Sequence, residues 1–270
     1  MKVIGVHKTD IAEVRKPEQA LKRLLEREPK DELLKALRKV LDVTVFSLGL
    51  SLENFGVFGS LLHGFYHPKF SDIDLIVYGR ENLEKIRKLL YELYNDDHSG
   101  LSNEFADDAP VRGKTWRYKN LTPKEFVWHQ QRKLIYGVFH DKTSRRDIKV
   151  EFEPVKSWKE IREDYGKVKK ITRISWIKAL LLVEDDTEAF YMPSIYRVRL
   201  LRVLEGPHIS DLEKIVSYLE EFRMQAWKGE TIYVEGNLEK VEEADGSFHQ
   251  ITLTYGPRYY EQVLKVVQPN

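Results

Sequence analysis

Residues 55 to 79 read FGVFGSLLHGFYHPKFSDIDLIVYG. Gly59 and Ser60 close an apolar run, and eleven residues later come Asp72 and Asp74 with Ile73 between them. In a strand, residues i and i+2 point to one face. Asp72 and Asp74 therefore project together, while Ile73, Leu75 and Val77 face a core. Two like charges so placed repel each other, and burial worsens the repulsion. A divalent cation relieves it directly, because Mg²⁺ takes carboxylate oxygens together with substrate phosphates.

An isolated Asp-Ile-Asp is more often an exposed strand start. The Gly-Ser pair at fixed distance changes that reading. Gly59 lets a backbone approach a phosphate closely. The N–H groups opening the next helix, with Ser60, suit an anion. An anion cradle joined by one helix to a carboxylate pair fits a nucleoside triphosphate carrying Mg²⁺ or Mn²⁺.

The pattern continues outward from this stretch. Residues 17–42 carry two amphipathic helices interrupted at Glu28-Pro29-Lys30. Val57 and Phe58 end a buried strand, and Ser60 caps a short helix running through Phe65. Asp72 to Val77 is a strand and Glu81 to Tyr94 a helix. Asn95 to Pro110 reads as a loop. Pro123 to Tyr136 reads as a helix capped by Thr122, and Asp147 to Phe152 as a strand stopped at Glu153-Pro154. This alternation predicts an α+β fold with a mixed sheet.

After Tyr165, residues 171–183, 195–204, 231–242 and 249–255 are rich in β-branched and aromatic residues and read as strands. Ser210 to Phe222 reads as a helix among them. With a fifth strand near Ala189 to Met192, this predicts a small C-terminal β-barrel that resembles an OB-fold. The expected organisation is a helical segment over 1–48, a central domain over 49–168 and a β-rich domain over 169–270.

Phe58-Gly59-Ser60, the eleven-residue spacer and Asp72-Ile73-Asp74-Leu75 resemble the signature of the DNA polymerase β-like nucleotidyltransferase superfamily. The resemblance spans about residues 50–155. It implies that Asp72 and Asp74 bind metal, with a third carboxylate on a neighbouring strand. In RRDIKVEFEPV, Lys149, Glu151 and Glu153 share one face. Glu151 lies three residues before Pro154, as the acid does in archaeal CCA-adding members. It is preferred over Glu153; Asp147 falls too early. The resemblance implies transfer of a nucleoside monophosphate from an NTP, with Gly59 and Ser60 at the nucleotide and pyrophosphate released. It leaves open an acceptor on RNA, on a protein or on a small molecule, and the OB-like C-terminal region favours RNA.

Many small members carry an Arg shortly after the Gly-Ser; here Leu61, Leu62, His63 and Gly64 stand instead. A cation for the triphosphate must come from elsewhere. The chain has a net charge of +1, yet Val111 to Lys149 holds eleven Lys/Arg against three acids. Arg112, Lys114, Arg117 and Lys119 alternate with Trp116 and Tyr118, a composition suited to a nucleotide or an RNA end. Arg132 and Lys133, on the predicted helix, are the chosen candidates. The missing Arg also motivates a second reading, a non-catalytic nucleotide- or RNA-binding protein.

Other features bound the class. There is no cysteine, which excludes disulfides, thiolate metal sites and a cysteine nucleophile. No stretch is apolar for long enough to cross a membrane, and a cytoplasmic protein is expected. Charged residues make up 32%, a lean toward a thermophilic source. His63 and His67 stand at helical metal-ligand spacing without a third ligand. Trp128, His129 and Tyr136 read as packing or helix-surface residues. Ser60 lacks the base of a hydrolase triad.

Overall fold

A computed structural model describes residues 5–162 and 165–267. The chain forms two compact units: residues 1–102 with 138–153, and residues 103–137 with 154–270. The first opens with α1 (Pro17–Leu25) and α2 (Glu32–Leu41). Asp31 caps α2 by accepting from Leu34 N at 3.0 Å. Leu33, Leu37, Val40 and Leu41 are fully buried, at the spacing of a helix with one apolar face. α1 packs against β1 (Phe55–Val57) so closely that a Cβ on Gly56 would lie 2.5 Å from Pro17.

β1 pairs antiparallel with β2 (Ile73–Tyr78), joining Val57 to Leu75. α3 (Gly59–His63) connects them, and α4 (Arg80–Tyr94) follows β2. The five-stranded sheet runs β1, β2, β5 (Arg146–Val155), β4 (Tyr136–Asp141), β3 (Leu101–Asn103). Along β5, Ile148, Val150 and Phe152 are fully buried while Glu151 and Glu153 are half-buried on the opposite face.

Several boundaries differ from those read in the sequence. α3 is a single turn closed by Gly64 in the left-handed conformation. His67 therefore lies beyond it, and the His63–His67 pair has no helix to hold it in metal-binding register. Phe58 occupies the cap position and Ser60 lies inside the helix. β3 falls within the expected 95–110 loop. β5 continues through Pro154 to Val155.

The second unit contains α5 (Pro123–Gln131), opened by a reciprocal capping box between Thr122 and Glu125. Arg132 and Lys133 fall after its last residue. The other strands are β6 (Val168–Asp185), β7 (Ser194–Glu205), β8 (Leu212–Ser217), β9 (Thr231–Glu243), β10 (Ser247–Leu253) and β11 (Val263–Val266). Their order is β10, β8, β7, β6, β9, β11, and β9 also pairs with β10. One edge of β9 thus serves β11 over Ile232 to Glu235 and β10 over Asn237 to Glu242. Gly236 sits at the changeover, where a Cβ would meet Leu253 at 2.6 Å.

The helix expected over 210–222 is instead β8 followed by a 3-10 turn, Glu220–Phe222. Leu212, Ile215, Val216 and Leu219 carry the i, i+3, i+4, i+7 spacing of a helix. All four are buried, because β8 is enclosed between β7 and β10 and apolar periodicity there is set by the sheet. The strand expected near Ala189 to Met192 does not form.

Thr122→Ala removes one half of the capping box. It is expected to lower stability by about 1 kcal/mol, measured as a reduced denaturation midpoint in urea.

Candidate functional site

The two halves of the Gly-Ser and Asp-Ile-Asp pattern are joined by backbone. Phe58 N–H donates to the Asp74 carbonyl at 2.9 Å. Directly after it the chain turns at Gly59, with φ +55°. A Cβ on Gly59 would stand 2.4 Å from Asp74 Oδ2. Glycine is therefore required twice: for the left-handed backbone and for the space taken by the carboxylate. Gly59 and Asp74 lie in contact, so a phosphate approaching the Gly59 backbone also meets that carboxylate.

Asp72 is exposed at the mouth of β2, and Asp74 is half-buried one pleat further in. The turn before them is fixed from several sides. Ser71 N–H donates to the His67 carbonyl at 3.0 Å, and His67 N–H donates to Ser71 Oγ at 2.9 Å. Arg146 donates from Nη1 to the Pro68 carbonyl and from Nη2 to the Ser71 carbonyl, each at 2.6 Å. This arginine, read in the sequence only as part of the basic strip, holds the strand start that carries the aspartates.

Burial raises the Asp74 carboxyl above the ordinary carboxylate range, and the negative charges of Asp72 and Glu153 raise it further. On β5, Glu153 thus adds its charge to that of Asp72 at Asp74. Glu151 is its neighbour; carboxylate oxygens of the two lie within 4.8 Å of each other. The group is a concentration of negative charge made of oxygen donors, a set suited to Mg²⁺ or Mn²⁺.

The cations expected at the triphosphate lie in the second unit, in other roles. Lys133 has no exposed surface, and its Nζ donates to the Glu221 carbonyl at 2.9 Å. It is a core residue with nothing to offer a phosphate, which corrects the sequence expectation. Arg132 pairs with Glu230 and lies over the Trp128 ring at 4.4 Å. Trp116 and Tyr118 pack against the apolar core of that unit. Trp116 Nε1 donates to the Leu121 carbonyl at 2.6 Å, and Tyr118 OH to Tyr259 OH at 2.8 Å. These rings are occupied by packing and are not stacking platforms. Arg112 and Lys119 pair with Asp108 and Glu261. His129 is buried, and burial pushes its imidazole down to about 3. It stays neutral, its Nδ1 3.1 Å from the Gln225 carbonyl, a packing role as expected.

Residues 30–178, more than half of the chain, match the family model of the nucleotidyltransferase domain. The chain belongs to the nucleotidyltransferase family. It is also 30% identical over 199 residues to an uncharacterized protein of Methanocaldococcus jannaschii, covering 73% of this chain and 54% of that relative. The chain thus spans about half the length of the curated relative it matches. No solved structure matches it. Among the described residues no helix is long and apolar enough to cross a membrane.

Two outcomes follow from the charge and from the close contact. A carboxylate with a raised folded-state pKa stabilises the fold below the ordinary carboxylate range and loses that contribution as pH rises through the folded value. At neutral pH, metal-free Asp74→Asn should therefore melt a few degrees above wild type, while wild type alone should gain from added Mg²⁺ in a thermal-shift series. Gly59→Ala combines the left-handed penalty of about 1–2 kcal/mol with the clash. It should abolish the Mg²⁺-dependent gain while far-ultraviolet circular dichroism stays unchanged.

Proposed function

We propose that the protein transfers a nucleoside monophosphate from an NTP to an acceptor hydroxyl in a reaction requiring Mg²⁺ or Mn²⁺, with RNA as the acceptor. The observation that carries this reading is the contact of Gly59 with Asp74, whose carboxyl is raised by burial and by the charges of Asp72 and Glu153. Asp72, Asp74 and Glu153 would hold the metal, with Glu151 beside them. When bound, the cation supplies charge neutralisation at the attacking and leaving oxygens.

The chain's own residues do the rest. Gly59 and Ser60 bind the phosphates through the backbone at the start of α3. Asp74 sets the distance between that backbone and the acids. Arg146 orients the strand start. The acceptor oxygen forms its bond to the α-phosphorus as the bond to pyrophosphate breaks. Catalysis of this kind rests on positioning and electrostatics.

The acceptor is argued from the second unit. Its strand pairings run from β10 through β8, β7, β6 and β9 back to β10. That cycle supports reading it as a small Greek-key barrel of OB type, an architecture that binds oligonucleotides. The alternative is a binding protein without turnover. It is favoured by the absence of an Arg after Gly59-Ser60 and by the internal roles of Arg132 and Lys133.

The test is label transfer from each α-labelled NTP to total RNA, with Mg²⁺ or Mn²⁺. Label should appear in RNA with wild type and vanish in Asp72→Asn/Asp74→Asn. Glu153→Gln should slow transfer about 100-fold, the scale for losing one preorganised electrostatic contact. Glu151→Gln should slow it less. Label-free RNA and no pyrophosphate, with intact NTP binding, would favour the non-catalytic alternative.

A further inference from the structure

From Phe58 to Ser71 the chain exposes three large apolar rings. Phe65 is 73% exposed and Phe70 78%, and Phe58, directly before Gly59, is 51% exposed. Burying one Phe is worth roughly 1.5–3 kcal/mol, so leaving three exposed in one short segment forgoes a large stabilisation. Exposed apolar clusters of this kind mark binding surfaces.

The segment is also held in place, so the rings do not reflect a loose chain. Arg15 Nη1 donates to the His63 carbonyl at 2.6 Å. Tyr66 OH donates to Asp31 Oδ2 at 2.8 Å, tying the segment to the cap of α2. Arg146 grips Pro68 and Ser71. The rings are organised in pairs. His63 and Phe65 lie nearly coplanar, 2° apart with centroids at 5.8 Å, and His67 lies 4.6 Å from Phe70.

Charge and position name the occupant. The segment from Gly59 to Ser71 contains Lys69, His63 and His67 and no acid, which suits a phosphodiester backbone. It is continuous with the acids: Phe70 leads through Ser71 into Asp72, and Phe58 N–H is bonded to the Asp74 carbonyl. A planar ligand with phosphate attached, ending at those carboxylates, is a nucleotide unit. We infer that Phe65 and Phe70, backed by His67 and His63, form a stacking platform for an unpaired nucleobase beside the carboxylates. The inference rests on the proposed nucleotidyl transfer for its choice of ligand. The occupant is the 3′-terminal end of a single-stranded acceptor, because the acid-free segment suits a phosphodiester strand while the triphosphate is placed at Gly59 and Ser60.

The test uses the full-length protein. The probes are a fluorescein-labelled single-stranded RNA, the blunt duplex of the same sequence, and an α,β-methylene nucleoside triphosphate with Mg²⁺. Base stacking contributes about 1–3 kcal/mol per base, so each lost ring corresponds to roughly 5- to 150-fold in affinity. Phe65→Ala/Phe70→Ala should weaken single-strand binding on that scale, leave duplex binding unchanged, and keep the wild-type melting temperature, since both rings are largely exposed. Phe70→Trp should restore affinity to Phe65→Ala/Phe70→Trp. Weakened single-strand binding with unchanged analogue binding is the expected result; weakened analogue binding with unchanged single-strand binding overturns the inference. Unchanged affinity for both, or a wild type that binds neither, overturns the inference. Label transfer is measured on the same preparations. Wild type that transfers label while the double variant binds both probes normally removes the platform and keeps the transferase. Ring-dependent binding without transfer removes the transferase and keeps the platform.

Discussion

The approach of Gly59 to the Asp74 carboxylate is the constraint on which the first unit depends. A side chain at residue 59 would occupy the place of Asp74 Oδ2, so the turn and the acid can coexist only with glycine there. The backbone bond from Phe58 to Asp74 locks that arrangement, and the antiparallel register of β1 with β2 extends it into the core. The result places backbone suited to phosphate against a carboxylate suited to a cation. The proximity is made by covalent geometry and hydrogen bonding, and needs no flexible side chain.

The remaining elements hold this contact and supply its charge. α1 and α2 cover the sheet with apolar faces, and the α2 cap reaches the segment after α3 through Asp31 and Tyr66. β5 contributes opposing effects from its two faces: Ile148, Val150 and Phe152 are buried, while Glu153 adds its charge to Asp74. Crowding acids in this way costs stability without a metal. Perturbed carboxylates of this sort concentrate at functional sites.

The contact between the two halves of the motif was legible because it is local. Gly-Ser and Asp-Ile-Asp lie on consecutive elements, and period-two reasoning gives the shared face directly. The Thr122 cap was equally legible from Thr-Pro-Lys-Glu. What failed depends on partners distant in sequence. Leu212, Ile215, Val216 and Leu219 spell a helix until β7 and β10 enclose them. Lys133 reads as a surface cation, and only the fold shows it buried against the Glu221 carbonyl. Trp116 and Tyr118 alternate with basic residues like a nucleic-acid strip, yet tertiary packing claims their rings. Phe65 and Phe70 carried no reading in the sequence, because nothing local announces that Arg15, Tyr66 and Arg146 hold their segment with the rings exposed.

The central claim is that Asp72, Asp74 and Glu153 form one cation site. Its most direct test is a titration of the full-length protein with Mn²⁺ followed by electron paramagnetic resonance, in wild type and in Asp74→Asn. The account predicts protein-bound Mn²⁺ in wild type, displaced by excess Mg²⁺, and markedly weaker binding in the variant. Equal binding in both proteins would contradict it, because the acid that contacts Gly59 would then have no part in holding the metal.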